Sequence, residues 1–237
     1  VQKNGKAPPT RKGTGNNMSR KNDGILYRQK QFYENCEKRI FNGVGAYDTP
    51  EIYGMYEIDE IESFVSFNYA IKEKCPENKA VHFFIDDYQF NRVWNMPNRY
   101  LPILRKFKYV LSPDFSPYCD FPKSVQIFNH YRNHWIGAYL QENGVKVIPT
   151  ITWSYPPSYD FCFDGEPTDS VVAISSVGCM KSKELRQMFL DGYNEMEKRL
   201  HPTTIIFYGI VPDECKGNII RIKTYQDEHF AKAVCDG

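Results

Sequence analysis

Three aspartates stand just beyond short apolar runs: Asp86 and Asp87 after Ala80–Ile85 (AVHFFI), and Asp114 after Tyr109–Ser112. Carboxylates on neighbouring strand ends can serve as nucleophile and general acid or base, because proximity splits their pKa values, or can hold a metal ion. Adjacent residues of a strand point to opposite faces, so only one of Asp86 and Asp87 can face a strand-end pocket while the chain stays extended. The competing role is structural: Asp86 or Asp87 caps the following helix, and Asp114 makes an Asx turn after Pro113.

Other runs stop on residues suited to binding. Val145–Ile151 ends on Thr152, Trp153 and Ser154, and Val171–Ser175 ends on Ser176, Val177 and Gly178. The second turn lies ahead of a helix expected from Lys181, so its backbone N–H groups suit an anion such as phosphate. Thr204–Tyr208 ends on Gly209. Trp153, Tyr155, Tyr159, Phe161 and Phe163 crowd one loop around Asp164 and Gly165. Such a loop can stack on a base or sugar, or form a lid packed on itself. Arg132 lies among apolar neighbours and needs an anionic partner, either a core carboxylate or a bound phosphate.

His130 and His134 have the i,i+4 spacing of metal ligands, but the HExxH acid is absent and no third ligand is evident, so no metal is expected there. No GxSxG elbow, Walker loop, GxGxxG after a strand, or Cys/His nucleophile pair is present.

The elements that must position these residues follow from apolar periodicity. Strands are expected at Ala80–Ile85, Tyr109–Ser112, Val145–Ile151, Val171–Ser175 and Thr204–Tyr208, with further candidates at Tyr53–Ile58 and Ile219–Thr224. Helices are expected from Gly24 to about Asn42, over Ile58–Lys74 with Asp59 at its cap, over Phe90–Phe107 interrupted at Pro97, over Ser124–Asn143 with Gly144 beyond it, and over Lys181–Leu200 before Pro202. Strands separated by helical segments indicate βαβ units and a parallel α/β fold. The expected architecture is a parallel (β/α) barrel, complete or short of strands, with a doubly wound open sheet as the alternative. In either, polar residues beyond the carboxyl ends of the strands form the site.

The 237 residues are 41% hydrophobic and 25% charged, a globular composition with no run of the ~18 apolar residues that a membrane helix needs. No apolar secretory stretch opens the sequence. The seven cysteines are scattered without a CxxC pair, which suggests free thiols and a cytoplasmic setting rather than zinc or disulfides. Six of the 30 basic residues fall in the first 22 positions with no acid among them, leaving 24 basic against 29 acidic residues beyond. A disordered basic arm over residues 1–24 is therefore expected on a single α/β domain over 25–237. Such an arm can track nucleic-acid phosphates or merely solubilise the chain.

The segments FFIDDYQFNRVW, YVLSPDFS, YRNHWIGAYLQENG, VIPTITW, FCFDG, SVVAISSVG and TTIIFYG resemble the family known as domain of unknown function 4417, over about residues 40–210. That resemblance implies a protein of phages, plasmids or integrated elements and no particular activity or cofactor. A fold-level resemblance is to the tRNA-guanine transglycosylase barrel, where a strand ends on a Ser/Val/Gly-like turn and a later one on Gly before a Pro-acidic pair, here Ser176-Val177-Gly178, Tyr208-Gly209 and Pro212-Asp213-Glu214. The zinc-binding cysteine cluster is missing, and GNIIRIKTY offers no counterpart for the nucleophilic aspartate.

These features lead to an enzyme acting on a nucleic-acid base or nucleotide in a transglycosylase- or glycosidase-like way. Asp86, Asp87 and Asp114 would do the chemistry, while Arg132, Trp153, Ser154, Asp164, Ser176, Gly178, Tyr208 and Gly209 would bind substrate. The alternatives are a non-catalytic DNA- or partner-binding protein that uses the basic arm, and a metal-dependent hydrolase built on the same aspartates.

Overall fold

The computed structural model describes residues 39–222. The expected basic arm and nearly all of the helix expected from Gly24 lie outside these residues; positions 39–42 are not helical. A short antiparallel hairpin, β1 (Gly43–Val44) with β2 (Thr49–Pro50), comes first. Seven further strands follow: β3 (Ser63–Ser66), β4 (Lys79–His82), β5 (Tyr109–Leu111), β6 (Val147–Ile148), β7 (Val171–Ser175), β8 (Thr204–Tyr208) and β9 (Ile219–Ile222).

Strands β3 to β6 form one parallel sheet and β7 to β9 another. A parallel bridge between Thr150 and Ala173 joins them, and Ile151 N donates to Ala173 O at 2.8 Å. Neighbouring strands therefore run in chain order throughout. A doubly wound sheet requires the order to reverse at a switch point, and none occurs among the described residues. Among the described residues no ladder joins β9 to β3.

The strands are apolar on both faces because both are covered. Alternate residues of all seven strands meet in one inner cluster: Ala80, Leu111, Ile148, Ala173, Ile206 and Ile222, with Phe64 against them. The intervening residues face outward to helices α1 (Phe67–Ala70), α2 (Asp87–Asn95), α3 (Pro97–Leu104), α4 (Lys123–Glu142) and α5 (Lys183–Leu200). Val81, Val110 and Val147 pack with Phe90, Leu104 and Ile136, whereas Val172, Ile205 and Phe207 pack with Phe189 and Met196.

Local chemistry sets the helix ends. The Ser182 hydroxyl accepts from Leu185 N at 3.2 Å and caps α5. Gly144, at φ +79°, follows α4 in the left-handed region that favours glycine. Pro97 separates α2 from α3, since the residue before proline is pushed out of helical geometry, and Met96 has φ −140°.

Several expectations change: the strand expected over Ala80–Ile85 is Lys79–His82, and the one expected over Val145–Ile151 is only Val147–Ile148. Ile58–Lys74 is not one helix but β3 followed by the single turn of α1. Phe64 joins the inner cluster and Val65 the outer one, the opposite-face placement of a strand. Asp59 caps no helix; its carboxylate accepts from the Tyr109 hydroxyl at 3.2 Å. Residues 53–58 form no strand, although Val171 N donates to Met55 O at 2.8 Å. None of the described helices is long and apolar enough to cross a membrane.

Candidate functional site

At the carboxyl ends of β5, β6 and β7 lies a cavity of about 360 Å³, lined on its polar side by Asp114, Ser154, Ser175 and Lys181 and on its apolar side by Trp153 and Phe189. The β5 and β6 ends are tied together where Thr150 N donates to Ser112 Oγ and Thr150 Oγ1 to Ser112 O, both at 2.7 Å. The loop after β5 is clamped onto α4. Phe115 N donates to Asn133 Oδ1 at 2.8 Å, Asn133 Nδ2 to Phe115 O at 3.2 Å, and Asn129 Nδ2 to Ser116 O at 2.8 Å. Asp114 is thereby fixed at the cavity wall, half-buried.

Asp114 has no hydrogen-bond partner among the described residues. Burial pushes its carboxyl well above the usual carboxylate range, and the charge of nearby Asp87 acts in the same direction. Asp87, in the first turn of α2, accepts from Ser116 N at 3.2 Å and Ser116 Oγ at 3.3 Å. Its own pKa is raised by burial, against the lowering effect of the Ser116 hydrogen bonds and of Arg132. Burial and the Asp114 charge push the Cys179 thiol, also in the wall, up to about 11, so it stays protonated and non-nucleophilic near neutrality.

Trp153 leans on Phe189 with ring centroids 5.3 Å apart and lies against Gly192, where a Cβ would meet the indole at 2.1 Å. Ser154 is 2% exposed, and its hydroxyl oxygen has no hydrogen-bond partner. In the turn after β7, Val177 N donates to Ser175 Oγ and Cys179 N to Ser176 O, and Gly178 has φ +85° with open space around it. The amino end of α5 begins only at Lys183, two residues past the expected start, and Leu185 of its first turn reaches the cavity wall.

Of the residues singled out from sequence, Asp114, Trp153, Ser154 and Gly178 meet at the cavity, and Asp87 supports it through Ser116. Asp86 is exposed at the α2 amino end and accepts from Gln89 Nε2 at 3.2 Å. Arg132 braces the loop from behind: its guanidinium stacks 3.6 Å from the Phe115 ring centre and donates to Asn91 Oδ1 and Asn129 Oδ1 at 3.0 and 2.5 Å. Ser176 donates its hydroxyl to Ile210 O at 2.7 Å, and Gly209, at φ +109°, accepts from Arg221 Nε at 3.1 Å. Tyr208 belongs to the inner cluster, stacked 5.0 Å from Phe84 and tilted against His82. None of these five lines the cavity.

The three aspartates do not converge as a metal-holding set among the described residues. The group that does converge is His130, His134 and Glu166, with one ligand atom of each within 4.8 Å of the others. Asp164 lies there too, its carbonyl 3.0 Å from His130 Nε2. Glu166 had no local signal in the sequence: it is 32 residues from His134 and is delivered by the loop after the 3-10 turn Pro156–Asp160.

The chain is similar to the Gene 1 protein of Mycobacterium phage L5, 45% identical over 130 residues that make up 55% of this chain and 57% of that protein. It is also similar to the Gene 1 protein of Mycobacterium phage D29, 41% identical over 146 residues, 62% of this chain and 54% of that protein. The matches thus span little more than half the length of either relative. No solved structure matches the chain, and nothing in these similarities supports the resemblance to the transglycosylase barrel. The model of the family described as Domain of unknown function (DUF4417) matches residues 41–226, so the chain belongs to that family.

Proposed function

We propose that this protein is an enzyme acting on a nucleic-acid base or nucleotide held in the strand-end cavity, with Asp114 as its general acid. The observation that carries the reading is a carboxyl without a hydrogen-bond partner among the described residues, set in the wall of a cavity at the strand carboxyl ends, where burial raises its pKa. A protonated Asp114 would deliver its proton to the departing base nitrogen as the base–sugar bond breaks and a water oxygen bonds to the sugar carbon, the water's proton leaving to solvent, and Asp87 would hold the loop that presents Asp114. The volume suits a base with part of its sugar, and the Trp153 ring supplies an apolar wall for it. The Ser154 hydroxyl, buried without a partner, would hydrogen-bond to the base edge. Lys181 and the amino end of α5 favour an anionic group at the mouth.

The sequential strand order and the shared inner cluster support an incomplete (β/α) barrel as the scaffold. Mass spectrometry of nucleosides from cells making the wild-type chain or its Asp114→Asn variant tests the proposal. It expects a change in one base or nucleoside that requires Asp114. Identical nucleoside profiles with both chains, each soluble and folded, would overturn it.

A further inference from the structure

Away from the cavity, the buried face of α4 carries His130 and His134 against the loop containing Glu166 and against β2. The two rings stand 4.3 Å apart, and the His134 and Glu166 side chains are each 1% exposed. Each histidine has one nitrogen on a backbone carbonyl: His134 Nδ1 on Pro50 O at 2.7 Å, and His130 Nε2 on Asp164 O at 3.0 Å. A carbonyl only accepts, so those nitrogens carry protons, and in the neutral rings the lone pairs fall on His134 Nε2 and His130 Nδ1. Ring N–H groups anchored to carbonyls are the arrangement that orients histidines as metal ligands.

His134 Nε2 lies 2.9 Å from Glu166 Oε1, so the two atoms are joined either by a proton or by a metal ion that both ligate. The second oxygen, Glu166 Oε2, is buried with no hydrogen-bond partner among the described residues. The backbone is shaped to the same purpose. Gly165 has φ +79°, and a Cβ there would meet Pro50 O at 2.7 Å and His134 Nδ1 at 2.9 Å. We infer that His130, His134 and Glu166 bind a divalent transition metal, zinc by the chemistry of the ligands, and that this ion fastens α4 to β2 and to the loop carrying Glu166.

Two neutral imidazoles and one carboxylate form a familiar zinc donor set, with a fourth position left to water or a carbonyl. Burial of the ligands makes the role structural, since substrate has no route to them. The competing occupant is a proton shared by His134 and Glu166, which would leave Glu166 Oε2 and the His130 lone pair unused.

The test is elemental analysis and thermal unfolding of the full chain purified without chelator, before and after dialysis against a strong chelator, then with zinc returned. About one zinc per chain is expected, with a fall in Tm of roughly 10 °C on its removal and recovery on its return. Glu166→Gln should lose the metal and the chelator response together. The wild-type measurement stands even if that variant fails to fold. A metal-free wild-type chain whose Tm responds to neither chelator nor added zinc would overturn the inference in favour of the shared proton.

Discussion

Asp87 accepts both the amide and the hydroxyl of Ser116, so a carboxylate at the start of α2 holds the loop that carries Asp114 into the cavity wall. The arrangement divides labour between two acidic residues of similar sequence context. Asp87 is spent on positioning, and Asp114 is left without a partner.

Asp87→Ala removes both acceptors and leaves the Ser116 amide unsatisfied. A loss of about 1–3 kcal/mol in urea-unfolding stability is expected, together with weaker ligand binding by the loosened wall. Unchanged stability would contradict the positioning role.

Asp114 gives a pH signature of opposite kind. Its folded pKa is raised, so the folded chain holds more protons than the unfolded one, and stability falls as pH rises from the unfolded value toward the folded one. Asp114→Asn should therefore be more stable than wild type at neutral pH, with the difference vanishing below roughly pH 4. Any Asp114-dependent activity should decline as pH rises through the folded pKa. Denaturation at several pH values and a pH–rate profile check both.

His82 predicts acid sensitivity. Burial lowers its pKa to about 4; its Nδ1 accepts from Phe84 N at 3.2 Å, and its ring packs on Tyr208. The unfolded chain binds a proton near pH 6.5, so this residue's contribution is complete above that pH and is lost as pH falls toward 4. His82→Asn keeps an acceptor near the Nδ1 position and should flatten the stability curve between pH 6.5 and 4 by about 3 kcal/mol.

Gly192 tests the cavity's apolar wall. Alanine is the better helix former by up to ~1 kcal/mol, yet a Cβ here would strike the Trp153 indole. Gly192→Ala is expected to destabilise by about 1–3 kcal/mol and to shift tryptophan emission. Stabilisation would show that Trp153 does not lie over α5.

The strand-end rim was legible in the sequence because β5, β7 and β8 lie in apolar runs that stop on polar residues or glycine, whereas β4 ends at His82, short of the expected Ile85. The strand β3 was not: its Phe64 and Val65, together with the flanking Ile61 and Phe67, also fit a helical face, and so short a strand offers no period to choose between the two. Arg132 announced an anionic partner, and the Asp87 charge is near enough to act on it, but its direct contacts are the Phe115 ring and two asparagines. Glu166 could not be paired with His134 from spacing, since a loop and not a helix turn brings them together.

Equilibrium titration of nucleobases, nucleosides and nucleotides into the full chain tests the site most directly. One saturable site is expected for at least one base-containing ligand, weakened about tenfold or more by Trp153→Ala and altered in its pH dependence by Asp114→Asn. Absence of binding across that panel, or binding indifferent to both substitutions, would contradict it.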